Sequence, residues 1–345
     1  MRKILVIGLL VLANLPVTAQ KSDKEPFLTK SFKNESFTET KVRTSGGSIS
    51  VTGVAGGEAR VEVYIYSNNG RDNFSREEIQ QRLDEKYDLE IGVKNNQLVA
   101  IAKPKEKIKD WKKALSIGFK VFVPEKTGTD LSTSGGSISL SNLSGKQDFS
   151  TNGGSLHVDD VSGNIKGRTS GGSIHVKNSK EDIDLATSGG SIEAKNCEGK
   201  ILLSTSGGSL LLKDLKGDVK ATTSGGSIDG KDISGELVAR TSGGSIHFDD
   251  LTCSLETSTS GGNINVSIKE LGKYVRITNS SGNVDLDLPK GKGLDLDLEA
   301  NRIRTDRLEN FSGTMKEDEV NGKINGGGVL VRVKAGSGQI HLGLK

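Results

Sequence analysis

Charge of one sign is what this chain lacks first: 47 Lys and Arg stand against 44 Asp and Glu, a formal net charge of +3. No strong overall field therefore selects nucleic acid or an acidic partner, and no nucleic-acid partner is expected. Large aromatic side chains are also scarce, at 4% of 345 residues. A single thick globular core normally relies on them, so many small coils fit this composition better than one core. Cysteine is limited to Cys197 and Cys253. Beyond Ala19 no segment is long and apolar enough to cross a bilayer. The length suits one elongated repeat body or about two ordinary domains.

The N-terminus has the pattern of an export signal. Arg2 and Lys3 precede an apolar run from Ile4 to Leu15, and Val17-Thr18-Ala19 is a small-residue site that places cleavage before Gln20. No cysteine follows that site, which argues against a lipoprotein anchor. The expected product is exported to the periplasm or cell surface, with no transmembrane segment in the mature chain.

What is abundant is a repeat. Gly-Gly recurs at every eighteenth position, eight times over: Gly135-Gly136, Gly153-Gly154, Gly171-Gly172, Gly189-Gly190, Gly207-Gly208, Gly225-Gly226, Gly243-Gly244 and Gly261-Gly262. Each pair sits in a version of T-S-G-G-S-I, so each copy is one unit stacked on the next. Within a unit, apolar and polar residues alternate with the period of a strand. Two inward columns emerge, Ile138 to Ile264 through Leu156, Ile174, Ile192, Leu210, Ile228 and Ile246, and Ile165 to Leu255 through Ile183, Ile201, Val219 and Leu237. A third column, Thr133 to Thr259, places hydroxyls where they can hydrogen-bond between coils. The expected fold is all-β: a parallel β-solenoid of the β-helix or β-roll type with 18-residue coils, right-handed by the usual crossover preference. Each coil should hold two strands of four to five residues, separated at the Gly-Gly and Asx-x-x-Gly corners by glycines with positive φ.

The period also divides the chain. A signal peptide over 1–19 and an extension over 20–34 precede first coils over 35–66, where Thr44-Ser45-Gly46-Gly47-Ser48-Ile49 is an outlying copy. Residues 67–118 break the period as a helix-containing insertion that would cap the open apolar end, with helix character from Ser75 to Tyr87 and strands at Leu89–Val93 and Leu98–Ala102. Regular repeats fill 119–268, and irregular coils with a cap fill 269–345, where Ser281-Gly282-Asn283-Val284 and Gly336-Ser337-Gly338-Gln339-Ile340 are degenerate copies. An export signal, an early S-G-G-S-I-x-V coil, a helix-containing insertion, the V-x-V-P entry at Val121–Pro124 and the closing Gly326-Gly327-Gly328-Val329-Leu330-Val331-Arg332-Val333 together resemble the bacterial putative-adhesin family. That resemblance, over roughly residues 35 to 345, implies exported β-solenoid proteins at the envelope or surface. It supplies no catalytic residues.

Each candidate site competes with a structural reading. The glycine pairs differ from calcium-binding G-G-x-G-x-D-x-U-x rolls, because Ile or Leu and other apolar residues fill the ligand positions; no cofactor is expected. The column Asn142, Asp160, Asn178, Asn196, Asp214, Asp232, Asp250 mixes Asn with Asp, as turn positions do. Beside it Lys177, Lys195, Lys213 and Lys231 fall on successive rungs. They form either a solvated face or a basic stripe for an anionic polymer. His157, His175 and Glu193 share one outward column and could hold a metal, although two imidazoles are an incomplete zinc set. Trp111, the sole Trp, either packs in the cap or stacks on a sugar. Cys197 and Cys253 fall in different columns about three rungs apart, ~14 Å by strand spacing, and are expected to be free thiols.

The outward columns hold Ser, Lys, Asp and Asn without a matched carboxylate pair or a Ser-His-Asp set. The expectation is a non-enzymatic envelope scaffold or adhesin whose repeated faces bind envelope or host polysaccharide, or a surface protein, through avidity. Two alternatives stand beside it: a polysaccharide-binding or polysaccharide-active β-helix protein, and an envelope protein that self-assembles end to end through exposed strand edges.

Overall fold

A computed structural model describes residues 25–56, 58–67, 74–107 and 114–345. The expected export signal over residues 1–19 and Trp111 both fall outside the described residues. Among those described, 22 strands join one continuous sheet and one helix is present. The expected parallel solenoid is there in its expected register. Leu156 pairs with Ile138 and Ile174, Ile192 with Ile174 and Leu210, and Ile246 with Ile228 and Ile264. The second column pairs Ile165 with Ile183, Ile183 with Ile201, Ile201 with Val219 and Leu237 with Leu255.

The coil differs from expectation in its corners. Instead of two short strands, most coils carry one strand of 13 or 14 residues, such as Leu156–Thr169 or Leu210–Thr222, bent at its Asx residue. Asn142, Asp160, Asn178, Asn196, Asp214, Asp232 and Asp250 all adopt left-handed backbone, with φ between 51° and 55°. Asn and Asp tolerate that conformation, so one residue turns the chain while the inter-rung ladder continues on both sides. Of the regular rungs, only the one from Ile174 to Thr187 breaks here, into Ile174–Lys177 and Lys180–Thr187. There Glu181 holds φ +80° where neighbouring coils have Gly163 and Gly199.

None of the sixteen glycines of the eight Gly-Gly pairs is among the positive-φ residues, which corrects the conformational reason expected for them. Their role is close approach. A Cβ on Gly154 would lie 2.0 Å from the carbonyl oxygen of Gly136, and one on Gly226 2.1 Å from that of Gly208. Threonine fixes this corner. Thr169 Oγ1 donates to the Gly154 carbonyl at 2.7 Å and accepts from Gly172 N–H at 3.4 Å. The same pair of bonds recurs at Thr151, Thr187, Thr205, Thr223, Thr241 and Thr259. The hydroxyls bond between coils as expected, but to glycine backbone rather than to one another.

Both ends fold back outside the regular rungs. The strands Glu39–Arg43 and Ile49–Gly53 form one coil, with Gly128–Thr133 and Ile138–Thr151 on one side and Gln97–Pro104 and Leu115–Val123 on the other. Antiparallel strands Tyr87–Lys94, Arg60–Ser67 and Leu28–Ser31 then extend the sheet outward. The helix Arg76–Lys86 starts at a capping box, in which Ser75 Oγ accepts from Glu78 N–H and the Glu78 carboxylate from Ser75 N–H. It packs on two of these strands with Leu83 buried. Tyr87, just beyond it, is buried and its hydroxyl accepts from Leu115 N–H at 2.8 Å.

At the other end spatial order departs from chain order. The last strand, Val329–Leu344, lies between the coil 264–288 and the strand Leu294–Thr305. The Gly336–Ile340 copy is therefore an interior rung rather than the end cap. The outermost layer is the antiparallel hairpin Phe311–Met315 and Glu319–Ile324, laid on Leu294–Thr305.

Candidate binding face

One outward face runs the length of the rod. Because successive residues of a strand point to opposite sides, each rung between Ile138 and Asp249 shows two side chains two positions apart on this face. One column reads Ser139, His157, His175, Glu193, Leu211, Asp229, His247, and the next Ser141, Asp159, Lys177, Lys195, Lys213, Lys231, Asp249. The four lysines are thus brought onto adjacent rungs ~4.8 Å apart, all exposed.

Their surroundings differ. Lys177 Nζ pairs with Asp159 at 3.1 Å and Lys231 Nζ with Asp250 at 3.3 Å. The hydrogen bond and charge of Asp250 raise the Lys231 ammonium above its ordinary pKa. Among the described residues, Lys195 and Lys213 have no carboxylate within 4.0 Å. The two central ammonium groups are left to solvent or to an anion. Within the histidine column Leu211 is 49% exposed, an apolar residue in an otherwise polar row that the sequence pattern alone does not single out.

The histidine column is assembled but not as a metal site. The rings of His157 and His175 stack at 5.3 Å with planes 4° apart, and His175 Nδ1 lies 3.1 Å from Glu193 Oε2. Parallel stacking sets the two imidazoles side by side instead of converging on one point. Among the described residues, no group of three or more His, Cys, Asp or Glu is arranged to hold a metal. Partial burial, with the neighbouring His175 second, lowers the His157 pKa, so this ring favours its neutral form. His247 and His341 have their own carboxylates, Asp249 at 3.1 Å and Asp285 at 3.7 Å. A depression of about 370 Å³ lies over His157, His175, Lys177, Glu193 and Lys195.

The Asx corner beside this face is a ladder of its own. Asn196 Nδ2 donates to Asn178 Oδ1 at 2.8 Å, and Asn178 Nδ2 to Asp159 Oδ1 at 2.9 Å. With their left-handed backbone, these side chains serve the turn.

Cys197 and Cys253 are free, buried thiols. Burial raises both pKa values, that of Cys253 to about 12. A thiol reacts as its thiolate, so neither should be alkylated by iodoacetamide at pH 8 in the native chain, whereas both should be after denaturation. Mass spectrometry reads the count; rapid labelling of either thiol in native protein would contradict this packing.

Outward residues that the repeat pattern does not flag lie toward the N-terminal end of the same face. Tyr64 and Tyr66, on Arg60–Ser67, occupy the outward positions of an alternating strand. The signal was available in the alternation of Val61-Glu62-Val63-Tyr64-Ile65-Tyr66. No helix among the described residues is long and apolar enough to cross a membrane.

Residues 27–343 match the family described as Toastrack DUF4097. No curated protein matches the chain. Among solved structures, a putative cell adhesion protein from Clostridium sporogenes ATCC 15579 is 12% identical, with 92% of this chain and 98% of that one covered at a TM-score of 0.20. A putative adhesin from Bacteroides fragilis NCTC 9343 is 12% identical over 92% and 96%, at 0.24. A putative lipid binding protein from Parabacteroides distasonis ATCC 8503 is 13% identical over 92% and 97%, at 0.33.

Proposed function

This chain belongs to the Toastrack family, and from that premise we propose that it is an exported, non-enzymatic scaffold of the cell envelope that holds acidic polysaccharide along its repeated face. The observation that carries the reading is the lysine row, in which Lys195 and Lys213 stand in register on adjacent rungs without carboxylate partners among the described residues. Like charges so placed repel modestly in water. A polymer bearing regularly spaced carboxylates relieves that repulsion, and weak contacts on successive rungs add through avidity.

Binding of the purified chain to polygalacturonate tests this. The double variant K195Q/K213Q should bind at least about tenfold more weakly, the loss of roughly 1.4 kcal/mol, and affinity should fall as salt screens the row. The polymer should be recovered intact. Unchanged binding in the variant, or cleavage of the polymer, would remove the reading. Export through residues 1–19 predicts a mature chain beginning at Gln20, which N-terminal mass spectrometry of protein from the native cell decides.

A further inference from the structure

The face that carries the lysines continues beyond them. Pairing extends the histidine column through Ser139, Ser50, Lys120 and Glu62, and the neighbouring positions bring Ser48, Gly118 and Tyr64 side by side. Tyr64 pairs with Gly118 and Tyr66 with Ser116. Two rings on one strand thus face two of the smallest residues on the next. The result is a groove of about 310 Å³ with Tyr64 and Tyr66 along one wall and Gly46, Gly47 and Ser48 along the other. That volume is at the lower end of small-molecule sites.

Its width is fixed by backbone. A Cβ on Gly47 would lie 2.1 Å from the Ile117 carbonyl oxygen, and one on Gly118 3.1 Å from that of Ser48. The Tyr64 ring is held as well. Tyr64 Oη donates to Glu62 Oε2 at 2.9 Å, and Lys120 Nζ stands 4.7 Å from the centre of the Tyr64 ring. Tyr66 is 39% exposed. In a chain with 4% aromatics, the strand Arg60–Ser67 sets two tyrosines at neighbouring outward positions.

We propose that this groove is a saccharide platform: a pyranose ring lays its C–H face on Tyr64 and Tyr66, with hydroxyls served by Ser48 and Ser116 and an acidic substituent by Lys120. Aromatic side chains with one apolar face and one polar edge suit such a ring. The platform deepens the acidic-polysaccharide reading by giving the polymer an anchored end. Six strand spacings separate the Tyr64 rung from that of Lys195, roughly 29 Å along one face. Between them Ser137, Ser155 and Ser173, each half-buried, offer a hydroxyl on each coil, and the exposed Ser191 continues the row on the Lys195 rung.

Saturation-transfer NMR with digalacturonate and a decagalacturonate tests the platform separately from the lysine row. The dimer is too short to reach Lys195 from the tyrosines. It should receive saturation from tyrosine ring protons in the wild type, in Y66F and in K195Q/K213Q. In Y66A its affinity should fall about tenfold, with the thermal melt of the exposed-site variant unchanged. The decamer should weaken in both Y66A and K195Q/K213Q. Absence of ring-to-sugar transfer, or equal binding of the dimer by Y66A, overturns the platform. Loss of decamer sensitivity to the lysines alone overturns the polymer reading and leaves the platform standing.

Discussion

Alanine at Gly208 is expected to destabilise the rod by at least about 2 kcal/mol, while alanine at the adjacent Gly207 costs less than about 1 kcal/mol. The two residues are chemically identical, consecutive and equally repeated. They differ in what a methyl group would meet. On Gly208 it would lie 2.1 Å from the Gly190 carbonyl oxygen and 2.4 Å from its carbon; on Gly207 the nearest atom is the Gly189 carbonyl oxygen at 3.5 Å. The obstructing carbonyl cannot swing away cheaply, because Thr205 Oγ1 donates to it at 2.7 Å and also accepts from Gly208 N–H at 3.3 Å. Relieving the clash would push neighbouring rungs apart or break that bond, and a buried, unsatisfied carbonyl carries its own penalty. Urea denaturation of the two single variants decides the matter. Equal shifts of the midpoint would mean that the second glycine is not held against the preceding coil.

The same contrast shows what could be read from the chain and what could not. A strict eighteen-position interval reports that coils stack in register, so the inward columns and the lysine row follow from counting. The reason for each glycine does not follow. Positive φ and close approach both select glycine, and only the position of the neighbouring coil tells them apart. The Asx column was legible for the opposite reason: Asn and Asp are mixed there without regard to charge, and a turn is what the two share.

Where the period loosens, counting fails. Ile264 pairs with Val284 instead of Gly282, the position that the period would assign, and Val284 pairs with Ile340, because the segment 294–324 leaves the coil and lies outside it. The corner itself survives this change. Asn279 takes the threonine position, donating to the Gly262 carbonyl at 2.8 Å and accepting from Gly282 N–H at 3.0 Å. An amide supplies the donor and acceptor of a hydroxyl, so the chemistry persists where the motif has gone. The tyrosine groove was hidden by a different gap. Gly118 and Ser116 meet Tyr64 and Tyr66 only across an antiparallel pairing, and the sequence carries no period that specifies it.

The largest single effect is expected in the interior, where alanine at Phe248 should cost about 3–5 kcal/mol. Phe248 is fully buried and pairs with Gly230 on the preceding rung. A Cβ on Gly230 would lie 2.7 Å from Phe248 Cδ1 and 2.9 Å from Ile233 Cδ1, so the ring fills the space that the glycine leaves. The pairing recurs near the other end of the regular repeats. Phe149 pairs with Gly167, whose added Cβ would meet Phe149 Cε2 at 2.5 Å and Leu185 Cδ2 at 2.7 Å. In a coil this thin, volume is conserved between neighbouring rungs rather than within each one, and packing at crystal-like density makes the exchange sensitive to single side chains. Gly230→Leu alone should destabilise by overpacking, about 1–3 kcal/mol. Combined with Phe248→Ala it should recover stability, since leucine enters the space the ring vacates, and the double variant should be more stable than the sum of the two losses by at least about 1 kcal/mol. Thermal melts of the four proteins in that cycle supply the coupling. Strict additivity would mean that the two positions relax independently and that the ring-for-glycine exchange is not what fits one coil to the next.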